Sequence, residues 1–226
     1  MHSKLKLIVC VLTLPLPWLL RRPLLQWLCG YCLHPTSRIG LSLVYPDQLV
    51  MEEHTSIGHL TVCKGLKRLH LGAHATIGRG NWITGFPAEN KTFFAHQKDR
   101  VPELVLGAQS AITHRHIIDC TSAVHIGSFT TVAGYRSQIL THSIDLMDCR
   151  QSSAPVTIGD YCFVGTDCVL LGGSVLPSYS ALGAKSLLNK AHTQSRCLYA
   201  GVPATPLKSL EPEKMKYFQR EEGFIH

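Results

Sequence analysis

Between Val156 and Lys190 the chain reads VTIGDYCFVGTDCVLLGGSVLPSYSALGAKSLLNK, and its aliphatic residues fall six apart: Ile158, Val164, Leu170, Leu176, Leu182 and Leu188. Glycine follows three of them, at Gly159, Gly165 and Gly183, and compact residues recur four places on, at Cys162, Cys168, Ser174, Ser180 and Ser186. Such a period matches neither the turn of an α-helix, about 3.6 residues, nor the alternation of a long strand. It matches a chain that turns a corner every six residues, each flat side a short strand. Three sides close one triangular coil, and successive coils stack at about 4.8 Å. Each aliphatic then points into the prism and meets its counterpart 18 residues on, while the neighbouring glycine frees the backbone to turn.

The same pattern runs, less regularly, through the rest of the chain. It starts at Ile39-Gly40, continues imperfectly through Ile57-Gly58, and is clean at Leu71-Gly72, Ile77-Gly78 and Ile83. It breaks at Gly85-Phe86-Pro87. Residues 86–103 are hydrophilic, with Lys91, His96, Lys98 and Arg100 around Phe93-Phe94, and predict a loop pushed out of the prism, a common place for function on a rigid scaffold. Leu106-Gly107, Ile112, Ile118-Asp119 and Val124 resume the period. After a two-residue slip, Ile126-Gly127 and Val132-Ala133 continue in a new register, and a second excursion covers 142–155. The repeat domain is thus 36–208. In the tail, 209–226, Pro212 to Arg220 predicts a short helix that caps the open end of the coil.

The leader, 1–35, is different. Leu5 to Leu20 is apolar, flanked by Lys4, Lys6, Arg21 and Arg22, and a second apolar patch spans Leu24 to Leu33. No small-residue cleavage site follows the run, against a secretory signal. Pro15 and Pro17 interrupt it, against a spanning helix, which needs about 20 apolar residues. The expectation is a bent membrane-embedded or interfacial segment, residues 1–33, with Trp18, Trp27 and the arginines at headgroup level; a purely oligomeric contact is the alternative. Charge agrees: the net is +7, and residues 1–46 hold Lys4, Lys6, Arg21, Arg22 and Arg38 with no acid. A body this weakly basic speaks against nucleic acid as partner and for an anionic membrane face. Nine cysteines, an odd number and mostly at repeat positions, read as small buried thiols in a reducing compartment. Cys29-Gly30-Tyr31-Cys32 has redox-motif spacing but lacks the βαβ context that motif needs. The expected location is the cytoplasmic face of a membrane.

The hexads, followed by Ala200-Gly201-Val202-Pro203-Ala204 and a basic residue, resemble the hexapeptide-repeat acyltransferases, most closely the polysaccharide and maltose-type O-acetyltransferase branch. The resemblance covers roughly Arg38 to Lys208. It implies an all-β fold, a left-handed parallel β-helix, working as a homotrimer with acetyl-CoA as acyl donor and no metal. It also implies an active histidine where the coil gives way to a loop before the last hexads. His142, in Leu140-Thr141-His142-Ser143-Ile144-Asp145, stands there, as general base on an acceptor hydroxyl. In the commoner family pattern a glycine or serine separates the threonine from the histidine; here the two are adjacent. Imidazole titrates near neutral pH, and general-base assistance is worth about 10²–10⁴-fold. Asp145, three residues on, is the candidate to hold the ring. A solvated loop histidine is the plain alternative.

Three more groups belong to the expected site. His116, four places after Ile112, breaks the small-residue rule, as does Arg136 one coil later; they are read as stacked at one edge, lining the acceptor pocket or packing on a neighbouring subunit. Asn81, before the first loop, is a weaker acceptor contact. On the donor side the resemblance implies Phe163 facing the acetyl group, with Lys190 and Lys208 near the phosphates of the nucleotide. Lys185 stands where the family usually has glycine. The expected activity is O-acylation of a glycan or lipid-linked sugar; the alternatives are N-acylation of an amino-sugar, a zinc-dependent carbonic-anhydrase-like β-helix using His54 and His59, and a non-catalytic trimeric scaffold.

Overall fold

In the computed structural model, which describes residues 3–90 and 92–223, the hexad aliphatics line the inside of a three-faced coil. The first face has seven strands, from Cys32–Leu33 to Val175–Leu176. The second has nine, from Arg38–Ile39 to Ala204–Ser209. The third has seven, from Leu43–Val44 to Leu187–Leu188. Pairing runs parallel throughout except at the last hairpin of the second face. In the long run of hexads Ile158 pairs in register with Leu176, Val164 with Leu182 and Leu170 with Leu188, the predicted 18-residue stacking. All six are buried, and each such side chain contributes roughly 1.5–3 kcal/mol of burial.

The corners differ in character. At the second corner, between the second and third faces, Arg115, Arg136, Asp167 and Lys185 all take φ between 56° and 62°. That left-handed backbone is why glycine suits the place of Lys185. One coil adds an extra residue here. Ile112 pairs with Val132, but His114 pairs with Tyr135 and Ile117 with Gln138, the shift being taken up around Gly134 at φ +73°. The insertion acts as a bulge and moves the predicted stacking by one: Arg136 lies over Arg115 and Ser137 over His116.

Both excursions leave from the third corner, between the third and first faces. The second is an antiparallel hairpin, His142–Asp145 with Arg150–Ser153. Lys91 of the first lies outside the described residues.

The leader forms two helices, α1 (Ser3–Thr13) and α2 (Trp18–Cys29), neither of which is long and apolar enough to cross a membrane. They close the N-terminal end of the prism. A first coil has no coil beneath it, so one row of its carbonyls would face nothing. Trp18 Nε1 donates to Ser37 O, at 2.7 Å, and the Arg21 guanidinium to Gly40 O and Ser42 O, at 2.8 and 2.9 Å. Buried Lys6 reaches Pro46 O, at 3.2 Å, and Asp47 O, while the Tyr31 hydroxyl donates to Pro46 O, at 3.0 Å. Trp18, Lys6 and Arg21 therefore point into the protein and not to a headgroup layer; Trp27 is exposed and Arg22 half-buried.

The tail corrects a second expectation. Residues 212–219 form two 3-10 turns, Pro212–Lys214 and Lys216–Gln219, not one helix, and they do not cap the coil. The edge of the second face is closed by the Cys197–Gly201/Ala204–Ser209 hairpin. The tail instead runs back along the first corner, over the stacked rings of Phe129, Tyr161 and Tyr179. The Tyr217 hydroxyl donates to Cys162 O at 2.7 Å, Arg220 to Phe129 O, and the Gly223 N–H to Gln109 Oε1 at 2.8 Å.

Candidate active site

Where the third face ends, Asp119 and His142 meet. His142 Nδ1 lies 2.7 Å from Asp119 Oδ2. The same oxygen accepts the N–H groups of Thr141 and His142, at 2.9 and 3.0 Å, and the Thr141 hydroxyl at 2.7 Å. Oδ1 accepts the N–H and hydroxyl of Thr121, at 3.2 and 2.6 Å. Burial opposes a charge on this carboxyl, but the bonds from His142, Thr121 and Thr141 outweigh it and hold it below its ordinary 3.8. The bond to Asp119 in turn raises His142 above its ordinary 6.5, against partial desolvation and the nearby Arg100. Since an ionised carboxylate only accepts, Nδ1 carries the proton and Nε2 is left as the basic nitrogen.

The two excursions wall this imidazole. Phe86 and Phe94 set their rings nearly perpendicular to it, with centroids 5.4 and 6.3 Å away. Arg100 pins the first loop. Its guanidinium donates to Phe86 O, Pro87 O and Thr121 O at 2.6–2.7 Å and lies 4.5 Å from the Phe94 centroid. Gln97 then ties loop to hairpin: its Nε2 donates to Ser153 O at 2.8 Å, and its Oε1 accepts from Ser153 N and Oγ at 3.1 and 2.8 Å. Beside His142 a cleft of about 420 Å³ runs across coils, past Leu171 and Gly172 to Asn189. It offers a base beside a partly apolar trough.

Asp145, the expected ring partner, makes no bond to His142. Its Oδ1 accepts the N–H groups of Met147 and Asp148, at 3.0 and 3.2 Å, and so shapes the hairpin turn. Residues three apart on a strand face opposite sides. Asp119 escapes a reading of the sequence because it is remote along the chain. Its signal is a carboxylate in the slot after Ile118, where hexads such as Ile158-Gly159 have glycine, one coil from Leu140-Thr141-His142.

His116 is buried inside the second corner. Its Nδ1 accepts the Ser137 N–H at 3.1 Å, so Nε2–H donates to Thr113 Oγ1 at 3.0 Å. Burial, with His114 nearby, pushes it down to about 4. Asn81, also buried, donates to Gly78 O and Thr113 O and accepts from His116 N, within 3.0 Å in each case. Both are committed to the corner rather than open to an acceptor. Arg136 is exposed, 3.8 Å from Asp167. None of the three shares the corner of His142. Phe163 sits outward on the second face, edge-on to Tyr217 at 5.8 Å, across the prism from His142. Lys190 is exposed beside Asn189 at the far end of the cleft; Lys208 is exposed on the closing hairpin. His54 and His59 stand at different corners, the first stacked on His74 at 4.9 Å. Among the described residues no three His, Cys, Asp or Glu converge as a metal site.

No family model matches the chain, and no curated protein matches it in sequence. Solved structures do. A serine-to-alanine mutant of AntD, an N-acyltransferase from Bacillus cereus in complex with dTDP-4-amino-4,6-dideoxyglucose and coenzyme A, is 12% identical. The match covers 80% of this chain and 84% of that one, with a TM-score of 0.52. The BC4754 gene product of Bacillus cereus is 13% identical over 84% of this chain and 83% of that one, with a TM-score of 0.51. A hexapeptide-repeat acetyltransferase of Vibrio cholerae, VCA0836, is 18% identical over 92% of this chain and 88% of that one, with a TM-score of 0.48. Hexad pattern, three parallel faces and structural likeness agree: the chain has the fold of the hexapeptide-repeat acetyltransferases.

Proposed function

We propose that this protein is an acyl-CoA-dependent O-acyltransferase, with acetyl-CoA as donor and a hydroxyl of a glycan or lipid-linked sugar as acceptor. The observation that carries the reading is the His142–Asp119 pair opening into a cleft of about 420 Å³. His142 Nε2 takes the acceptor's hydroxyl proton as the oxygen attacks the thioester carbonyl. The tetrahedral adduct then collapses by breaking the C–S bond, and the imidazolium returns its proton to the departing thiolate. Asp119 holds the ring in the required tautomer and stabilises the imidazolium that forms. In this reading Lys190 and Lys208, both exposed, meet the donor phosphates. Phe163 lies across the prism from His142, so a site using both draws on two copies, in keeping with a homotrimer. The leader holds the enzyme at the cytoplasmic face of a membrane.

N-acylation of an amino-sugar is the second reading, favoured by the likeness to AntD, whose complex contains an amino-sugar nucleotide and coenzyme A. The deciding experiment is mass spectrometry of cellular glycans with and without the protein, paired with thiol release from acetyl-CoA in vitro. A new O-acetyl ester, labile to mild base, supports the first reading; a base-stable amide supports the second. Neither product, with no thiol released, overturns both.

A further inference from the structure

The N-terminal end holds a second, larger concavity. A groove of about 1150 Å³ lies between the start of α2 and the first coils of the second face, far along the prism from His142. Its apolar wall includes Leu16, Leu19 and Leu41, and its cations are Arg21, Arg22 and Arg38; no acid lines it. Among the described residues neither Arg22 nor Arg38 has a carboxylate within 4.0 Å. Buried Arg21 is met only by carbonyls, and its Nε–H has no acceptor. The positive charge of the groove is therefore uncompensated. Leu19 of the groove wall is exposed, and elsewhere on its outer surface the leader exposes Leu5, Ile8, Leu12, Leu20 and Trp27. Residues 5, 8 and 12 share one face of α1.

Charge decides which occupant suits this surface. A second copy docking by the same face would set one acid-free cationic patch against another, whereas an anionic bilayer satisfies both halves at once. We propose that the groove binds the phosphate headgroup of an anionic phospholipid between Arg22 and Arg38, with the exposed leucines of α1 and α2 sunk among the acyl chains. This rests on the membrane reading above and narrows it. Polar residues within the leader hold the coil together, and only its outer face meets lipid. A shallow, in-plane attachment suits two helices neither of which is long and apolar enough to cross a bilayer.

The test is co-sedimentation of the full chain with vesicles of phosphatidylcholine, with and without phosphatidylglycerol. Wild type should pellet with the anionic vesicles and release at high salt. R22S/R38S should lower the partition coefficient about thirtyfold, as expected for two cations near an anionic surface, and L12S/L19S should abolish pelleting on both vesicle types. Unchanged circular dichroism and thiol release in each variant establish that the fold and the acyl-transfer site are intact. Equal binding to neutral vesicles, undiminished binding by R22S/R38S, or a smaller oligomer for L12S/L19S on gel filtration would each overturn the proposal. Thiol release that persists without vesicle binding would sink the lipid site alone; loss of thiol release by wild type would sink the acyltransferase reading alone.

Discussion

Two histidines, His116 and His142, sit at corners of adjacent coils, and the structure sends them opposite ways. His116 is enclosed by neutral partners, the Ser137 N–H and the Thr113 hydroxyl, and burial drives it down to about 4. His142 is only partly buried, faces the ionised Asp119, and is raised. Burial alone would lower both. The neighbouring carboxylate, held charged by bonds from Thr121 and Thr141 as well, reverses the sign for one of them. A corner of a β-helix is thus a neutral packing device until a carboxylate is built into it.

The comparison is most strongly tested by removing each imidazole. His142→Ala should cut thiol-release turnover by about 10²–10⁴-fold while leaving the fold intact by circular dichroism. Undiminished turnover would take His142 out of the mechanism. Asp119→Asn should come close to it, at up to about 10⁴-fold. An amide N–H facing Nδ1 would place the imidazole proton on Nε2 and remove the base. The pH profile gives a separate readout. A general base works in its neutral form, so in wild type kcat/KM should rise with pH through a limb above 6.5, the ordinary value from which His142 is raised. In the variant that limb should move to lower pH; an unmoved limb would deny the coupling. Stability shares this linkage. The raised His142 contributes below its unfolded value and loses that contribution as pH rises through its folded one. The depressed Asp119 contributes above 3.8 and loses it as pH falls through its folded value.

His116→Ala should do the converse. It leaves the Ser137 N–H without its acceptor, costing about 1–3 kcal/mol, read as a lower urea midpoint at unchanged slope. Its effect on turnover per folded molecule should be small. Because His116 titrates lower folded than unfolded, it stabilises above 6.5, and that contribution fades as pH falls toward about 4. The variant should lack this part of the acid-side decline. A variant that kept its midpoint but lost turnover would return His116 to the acceptor pocket.

How far these roles are legible in sequence depends on the reach of each signal. The run from Ile158 to Leu188 is readable because its spacing and its packing are the same fact: identical six-residue steps give identical 18-residue contacts. The position of His142, at the edge of an excursion, follows from where that spacing fails. The link to Asp119 does not, because it depends on how many residues one coil contains. The bulge around Gly134 lengthens that coil, carrying Asp119 to Leu140, 21 residues on, beside the Thr141-His142 pair. The leader's polar residues are opaque for a related reason. Their partners are backbone carbonyls of the first coil, and hydropathy does not distinguish an arginine that caps a sheet edge from one that seeks a headgroup.

The smallest expected effect separates sequence neighbour from spatial neighbour. Asp145 is three residues from His142 in the chain and Asp119 is 23 away, yet only the latter reaches the ring. Asp145→Asn retains an oxygen for the Met147 and Asp148 N–H groups, so the hairpin turn and the cleft it borders should persist. Turnover should stay within about twofold, and the acid limb of kcat/KM should not move, since the bond setting the basicity of His142 is untouched. If that limb shifted as far as in Asp119→Asn, two carboxylates would share control of one imidazole. The single bond of Asp119 to Nδ1 would then no longer explain why this corner became a site and the corner of His116 did not.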